Sequence, residues 1–177
     1  MTKLHEFNES LSRGAKGELI IKEFLHRITA VQSITDLSSD PFYQQQDIDM
    51  LLTFKDGTEQ TIEVKTDFQK TPNLFYETIS AVETNSIGCF EKTKADRLIY
   101  YFCKFGFAYI IDIAEMRKWV KVNSEKFNEL GYRKELRNRR YDNSYYTSVG
   151  YAIPRTSIEQ FGTGKWLSKV NIGKIID

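Results

Sequence analysis

Histidine and cysteine are scarce in this chain, with two of each among 177 residues. His5 and His26 leave little for Ser/His/Asp chemistry to stand on, and His26 falls late in a helical stretch, where a positive charge suits the helix dipole. Cys89 and Cys103 form no CxxC pair and have no histidine cluster beside them, which argues against a zinc site. They read as reduced core thiols of a cytoplasmic protein. Proline is rare, at three residues, and with only ten glycines the composition argues against long disordered linkers. No apolar run approaches the roughly 20 residues that a membrane span needs, so no membrane partner is expected. The polar stretch Met1 to Ser12 lacks the apolar segment of a signal peptide, and none is expected. Net charge is only +1, so neither sign dominates. A nucleic-acid binder of this composition has to gather its basic residues on one face.

What is present is ordinary for a globular protein: 41% apolar, 28% charged and 14% aromatic residues. The length suits one domain spanning 1–177, with a core at about 11–122 and a basic, aromatic loop plus C-terminal extension over 123–177. From Leu11 to Ile28 the apolar positions Leu11, Ala15, Leu19, Ile20, Phe24, Leu25 and Ile28 follow helical spacing, with Ser10 or Ser12 as a cap. Gly14 and Gly17 weaken that helix and suggest a close approach at its first turn. Strands are expected at 31–37, 48–54, 60–64, 74–82, 97–102 and 107–111. Lys55-Asp56-Gly57-Thr58 is a strong hairpin signal between the second and third of these. A helix follows over about 113–122, with Trp119 in its apolar face, then an irregular polar stretch 123–147. A last strand-like piece at 148–153 and a glycine-rich end complete the chain, with Gly162-Thr163-Gly164-Lys165 read as a turn. The order predicts an α/β (α+β) fold with a mixed central sheet flanked by helices.

The stretch that carries chemistry is Asp47-Ile48-Asp49-Met50-Leu51-Leu52, the hairpin, and Ile62-Glu63-Val64-Lys65. Alternation along a strand sends Glu63 and Lys65 to one face and Ile62 and Val64 to the other. Pairing across the hairpin brings Asp47 and Asp49, on a common face, next to Glu63. Carboxylates that converge repel one another unless a cation lies between them. An all-oxygen set favours a hard ion, Mg²⁺ or Mn²⁺. Asp49 lies further into its strand than Asp47 and is preferred as the ligand, although both point to the same face.

An Asp at the start of one strand and Glu-x-Lys on its hairpin partner resembles the PD-(D/E)xK nucleases, a superfamily that includes restriction endonucleases and Holliday-junction resolvases. The resemblance runs from Gly14 to about Asp67, and more weakly through Asn73-Leu74-Phe75-Tyr76-Glu77 and Lys94 to Tyr100. It implies a restriction-endonuclease-like core and a metal-dependent endonuclease acting on DNA. It further implies Asp49 and Glu63 as metal ligands, Lys65 as the catalytic lysine, and Glu18, in Gly14-Ala15-Lys16-Gly17-Glu18, as an accessory acid on the preceding helix. No Pro precedes Asp49; Ile48 stands there, a departure that is widespread in the superfamily. Relatives are commonly dimers, since two strands need two sites, and a homodimer is expected on that ground.

One further segment points to nucleic acid. Arg133, Lys134, Arg137, Arg139 and Arg140 place five basic residues in eight, and Tyr141, Tyr145 and Tyr146 follow. Basic side chains neutralise phosphates and tyrosines stack on bases. Lys16, beside Glu18, joins them as a phosphate contact. Glu77 and Gln69 are candidates for the rim. The alternative is a non-catalytic nucleic-acid-binding module, or a phage or host interaction protein, that keeps the nuclease fold. The intact Asp, Glu and Lys set speaks for the enzyme.

Overall fold

A computed structural model describes residues 3–139 and 142–174, with side chains from Gly14 onward. In chain order the helices are α1 (Lys3–His26), α2 (Pro41–Gln44), α3 (Cys89–Lys92), α4 (Ile113–Glu129) and α5 (Arg155–Gly162). The strands are β1 (Val31–Asp36), β2 (Met50–Phe54), β3 (Glu59–Asp67), β4 (Leu74–Ala81), β5 (Ser86–Ile87), β6 (Arg97–Phe102), β7 (Phe107–Asp112), β8 (Arg133–Arg139), β9 (Tyr145–Ile153) and β10 (Leu167–Asn171). Six strands form the main sheet in the order β1-β2-β3-β6-β7-β10. Every neighbouring pair is antiparallel except β3 and β6, which run parallel. The fold is therefore mixed α/β, with a mixed central sheet and helices on its faces.

The Asp-Gly turn between β2 and β3 forms as its residues demand. Gly57 takes φ +84°, and Asp56 accepts the Thr58 amide at 2.9 Å and its hydroxyl at 2.7 Å. One face of the sheet buries Met50, Leu52, Ile62, Val64, Ile99 and Tyr101 beneath Ile21 and Leu25 of α1. The other buries Leu98, Tyr100, Phe102, Tyr109 and Ile111 against α4, α5 and a second sheet. Asp112 caps α4 by accepting the Glu115 amide at 3.1 Å.

Helix α1 begins at Lys3, so Ser10 and Ser12 lie inside it rather than at its cap. Ala15 and Leu19, expected on the apolar face, are exposed. The buried line is Gly17, Ile21 and Leu25, whose first member is a glycine and so leaves a gap in the hydrophobic pattern. The close approach falls at Gly17 alone: a Cβ there would lie 1.8 Å from Thr66 Oγ1, whereas one on Gly14 would meet nothing within 4 Å. Bringing β3 against helix backbone at this point sets the distance between α1 and the strand that carries Glu63 and Lys65.

The region after residue 122 departs from expectation. Helix α4 continues to Glu129, and 133–139 and 145–153 are strands, not irregular chain. With β4 and β5 they make the second sheet, in the order β5-β4-β9-β8. Strand β8 escapes a reading by periodicity because its residues are exposed apart from half-buried Asn138, so no apolar alternation marks it. The glycine-rich end holds α5 and β10, and β10 completes the main sheet beside β7. Trp119 is half-buried and packs on Phe127 and Trp166, both at 5.2 Å between ring centres, which joins α4 to the segment entering β10. Among the described residues, no helix is long and apolar enough to cross a membrane.

Candidate active site

Strands β2 and β3 part at one point. Their ladder ends with Met50 opposite Ile62, and the Asp49 amide donates to the Ile62 carbonyl at 2.8 Å. On its other side the Asp49 carbonyl accepts the Leu37 amide at 2.8 Å. Beyond this, β3 runs on to Asp67 with only β6 paired beside it. The Val64 amide that faces the gap is taken by Asp49 Oδ2 at 2.7 Å. A side chain thus replaces the missing strand, and Asp49 is held against the backbone between Glu63 and Lys65.

A cavity of about 430 Å³ opens at this divergence, lined by Gly14, Glu18, Asp49, Glu63, Lys65 and Thr66. Glu63 is buried, and its carboxyl is hydrogen-bonded to that of Asp49. Burial first, and the Asp49 charge second, push Glu63 up to about 9, with the nearby Lys65 ammonium opposing. Asp49 is also raised by burial, but the Val64 amide and the Glu63 contact pull it back. At neutral pH Glu63 therefore keeps its proton beside Asp49. Glu18, half-buried on α1, is raised by burial and then by Asp49, which places its carboxyl within reach of the same charge. The expected trio of acids does converge on one cavity.

Lys65 stands at the boundary of this cavity and a second one of about 590 Å³, lined by Asp47, Lys65, Glu77, Ser80, Cys89 and Lys92. Lys65 is exposed as a residue although its ammonium is partly desolvated, and that ammonium is favoured by Cys89 first, then by Glu77, Glu63 and Asp47. Cys89 is itself pushed up to about 11 by burial, so it is a thiol at neutral pH and the acids supply the attraction in practice. Asp47 does not share a strand face with Asp49. It precedes β2 with φ +50°, pairs with Lys92 at 2.6 Å, and gives its carbonyl to the Thr93 hydroxyl at 2.7 Å. The short α2 and the left-handed turn at Asp47 break the alternation on which that expectation rested.

Glu77 does reach the rim. It lines the second cavity next to a bulge in the β4–β9 ladder between Glu77 and Ile79, and its Oε2 accepts the Cys89 amide at 3.4 Å. Gln69 is exposed and donates its amide to Asp67 Oδ1 at 2.6 Å. Asp67 is a buried acid that the sequence pattern did not bring forward. It accepts the Tyr100 hydroxyl at 2.8 Å and serves the packing of β3 on β6. Thr66 Oγ1 is buried with no hydrogen-bond partner among the described residues, at the wall of the first cavity.

The basic residues lie elsewhere. Arg133, Lys134, Arg137 and Arg139 are exposed along β8, at the far edge of the second sheet, and Lys16 is exposed on α1. Arg140 and Tyr141 lie outside the described residues.

Among the described residues, no group of three or more His, Cys, Asp and Glu side chains forms a metal-ligand set. What the cavity offers a cation is the Asp49 and Glu63 pair with Glu18 near by. Buried Glu63 beside half-buried Asp49 fits a hard divalent ion that is held by one or two carboxylates and otherwise by water. Comparisons with family models, with curated proteins and with solved structures found no match to this chain.

Proposed function

We propose that the chain is a divalent-metal-dependent nuclease of PD-(D/E)xK type with a restriction-endonuclease-like core, hydrolysing phosphodiester bonds in DNA. The observation that carries the reading is the placing of Asp49 and Glu63 in one cavity where β2 and β3 part, with Lys65 two residues further on. Asp49 and Glu63 would hold Mg²⁺ or Mn²⁺, and Glu18 would hold water at its margin. The ion supplies polarisation of the phosphate and a lowered pKa for bound water.

The chain's own residues do the rest. Asp49 is fixed by the Val64 amide, so one carboxylate is positioned before any ligand arrives. Lys65 brings a positive charge to the cavity edge, where it orients the attacking water and offsets charge developing on the phosphate. Arg133, Lys134, Arg137, Arg139 and Lys16 meet the DNA backbone, and Arg140 and Tyr141 belong to the same basic segment.

The test is cleavage of duplex, nicked, branched and single-stranded DNA with Mg²⁺ or Mn²⁺, by wild type, Asp49→Asn and Lys65→Ala. Asp49→Asn should lose both cleavage and calorimetric Mn²⁺ binding. Lys65→Ala should keep metal and DNA binding while its rate drops about 10²- to 10³-fold, the usual loss for one positioned electrostatic group. Cleavage by Lys65→Ala at the wild-type rate, or Mn²⁺ binding that is equal in Asp49→Asn, would overturn the assignment.

A further inference from the structure

The β8–β9 hairpin outruns the sheet it belongs to. Strand β4 pairs with β9 only from Ile153 to Val149, whereas β8 stays paired with β9 as far as Arg139 opposite Tyr145. The last four pairs, Leu136–Arg139 against Tyr145–Ser148, therefore form a two-stranded ribbon with no third strand among the described residues. Its root is tied to the segment after β4, since the Thr147 amide donates to Glu83 Oε2 at 2.9 Å, and Asn138 Nδ2 donates to Ser148 Oγ at 3.0 Å between its own two strands. One face of the ribbon carries Arg137, Arg139 and Tyr145, with the Arg137 guanidinium 4.1 Å from the centre of the Tyr145 ring. The opposite face carries Asn138 and Tyr146, and through the ladder it continues to Glu77, at the second cavity.

From this geometry we infer that the β8–β9 ribbon is an arm for duplex DNA, seated in the major groove with Arg137 and Arg139 on the phosphates. What happens to the DNA afterwards rests on the nuclease reading; the arm does not. A two-stranded ribbon fits a B-form major groove about 12 Å wide, whereas the deep, narrow major groove of A-form RNA does not admit it. Single-strand binders offer open aromatic rings for bases, but one face of Tyr145 is already covered by Arg137. A second copy of the chain is disfavoured at this edge. Pairing β8 with β8 would bring together two strands that each carry Arg133, Lys134, Arg137 and Arg139, with Glu135 as the one acid in the strand. The edge β5, where the second cavity opens, lies three strands away, about 14 Å at ordinary strand spacing. A duplex held by the arm spans that distance.

The experiment is binding without turnover, in EDTA, of a DNA duplex, the corresponding single strand and an RNA duplex across a salt series. Wild type is compared with Arg137→Glu/Arg139→Glu, two exposed positions, after melting curves show the variant folded. Wild type should prefer the DNA duplex. The variant should lose about tenfold or more on that probe at low salt, and the magnitude of its salt slope should fall by about 2, one for each phosphate contact. An unchanged slope, no preference for the DNA duplex, or equal losses on all three probes would overturn the arm. Cleavage by wild type beside an unchanged slope would leave the nuclease standing without the arm, and the reverse result would leave the arm without the nuclease.

Discussion

Asp49 and Glu63 press their carboxyl groups together at the point where their strands separate, and Glu63 keeps a proton there up to about pH 9. A divalent ion can enter only as that proton leaves. Calorimetric titration with Mn²⁺ near neutral pH, in two buffers of different ionisation heat, should therefore show about one proton released per ion. Affinity should rise with pH by up to about tenfold per unit over this range. Glu63→Gln should show no release. A heat independent of buffer would contradict a protonated Glu63.

The same pair governs stability without metal. Glu63 binds its proton more tightly folded, about 9, than at its ordinary 4.5. Between those limits Glu63 holds a proton in the folded state that it releases in the unfolded one, so its contribution to stability falls as pH rises and is most favourable below the lower limit. Glu63→Gln, whose amide can still donate to Asp49, should flatten this slope. In metal-free buffer at about pH 8 it should melt about 3 °C or more above wild type, the shift expected for 1 kcal/mol in a chain of this size. A variant that melts at or below wild type would show that the buried carboxyl carries no such cost.

At Gly17 the issue is space. A methyl group would fall within bonding distance of Thr66 Oγ1, so Gly17→Ala should destabilise by about 1–3 kcal/mol in urea unfolding, despite the better helix propensity of alanine. Adding Thr66→Ala should recover part of the loss, because it removes the nearest atom. A stable Gly17→Ala single variant would mean that α1 can shift away from β3.

Asp67 depends on the Tyr100 hydroxyl, its partner at 2.8 Å in a buried setting. Tyr100→Phe leaves that carboxyl oxygen without its donor and should cost about 1–3 kcal/mol. Thermal melts of the single and double variants with Asp67→Asn should show coupling between the two sites; simple additivity would deny it.

Both thiols should be inert in the folded protein. Cys89 is raised to about 11 by burial, and buried Cys103 donates to the Asp67 carbonyl at 3.0 Å. A thiol reagent near neutral pH should report no reactive cysteine until denaturant is added, and then two. Fast labelling of native protein would place Cys89 in a far more open setting.

The β2–β3 hairpin was legible because its signals are local: an Asp-Gly turn and apolar positions at period two. The meeting of Glu18 with Asp49 and Glu63 followed the motif resemblance and is present in the cavity. The second sheet was not legible, since β4 pairs with residues far along the chain and nothing in its own sequence separates it from the main sheet. Every exposed residue of strand β8 except Leu136 is charged, so composition marks it as loop while backbone pairing makes it strand. Asp47 shows the limit of alternation: one left-handed residue turned its carboxyl to Lys92.

The pairing of β4 with β9 also bears on how the protein is made. Leu74 meets Ile153 and Glu77 meets Gly150, so the residues that line the second cavity emerge from the ribosome long before the strand that holds them in place. Closing so long a loop is slow, and until then β4 offers β9 an unpaired edge. The hairpin bearing Asp49 and Glu63 can form early, yet the wall behind Lys65 waits for residues near 150. A nascent chain arrested before β9 would carry the acids of the candidate site without its finished shape.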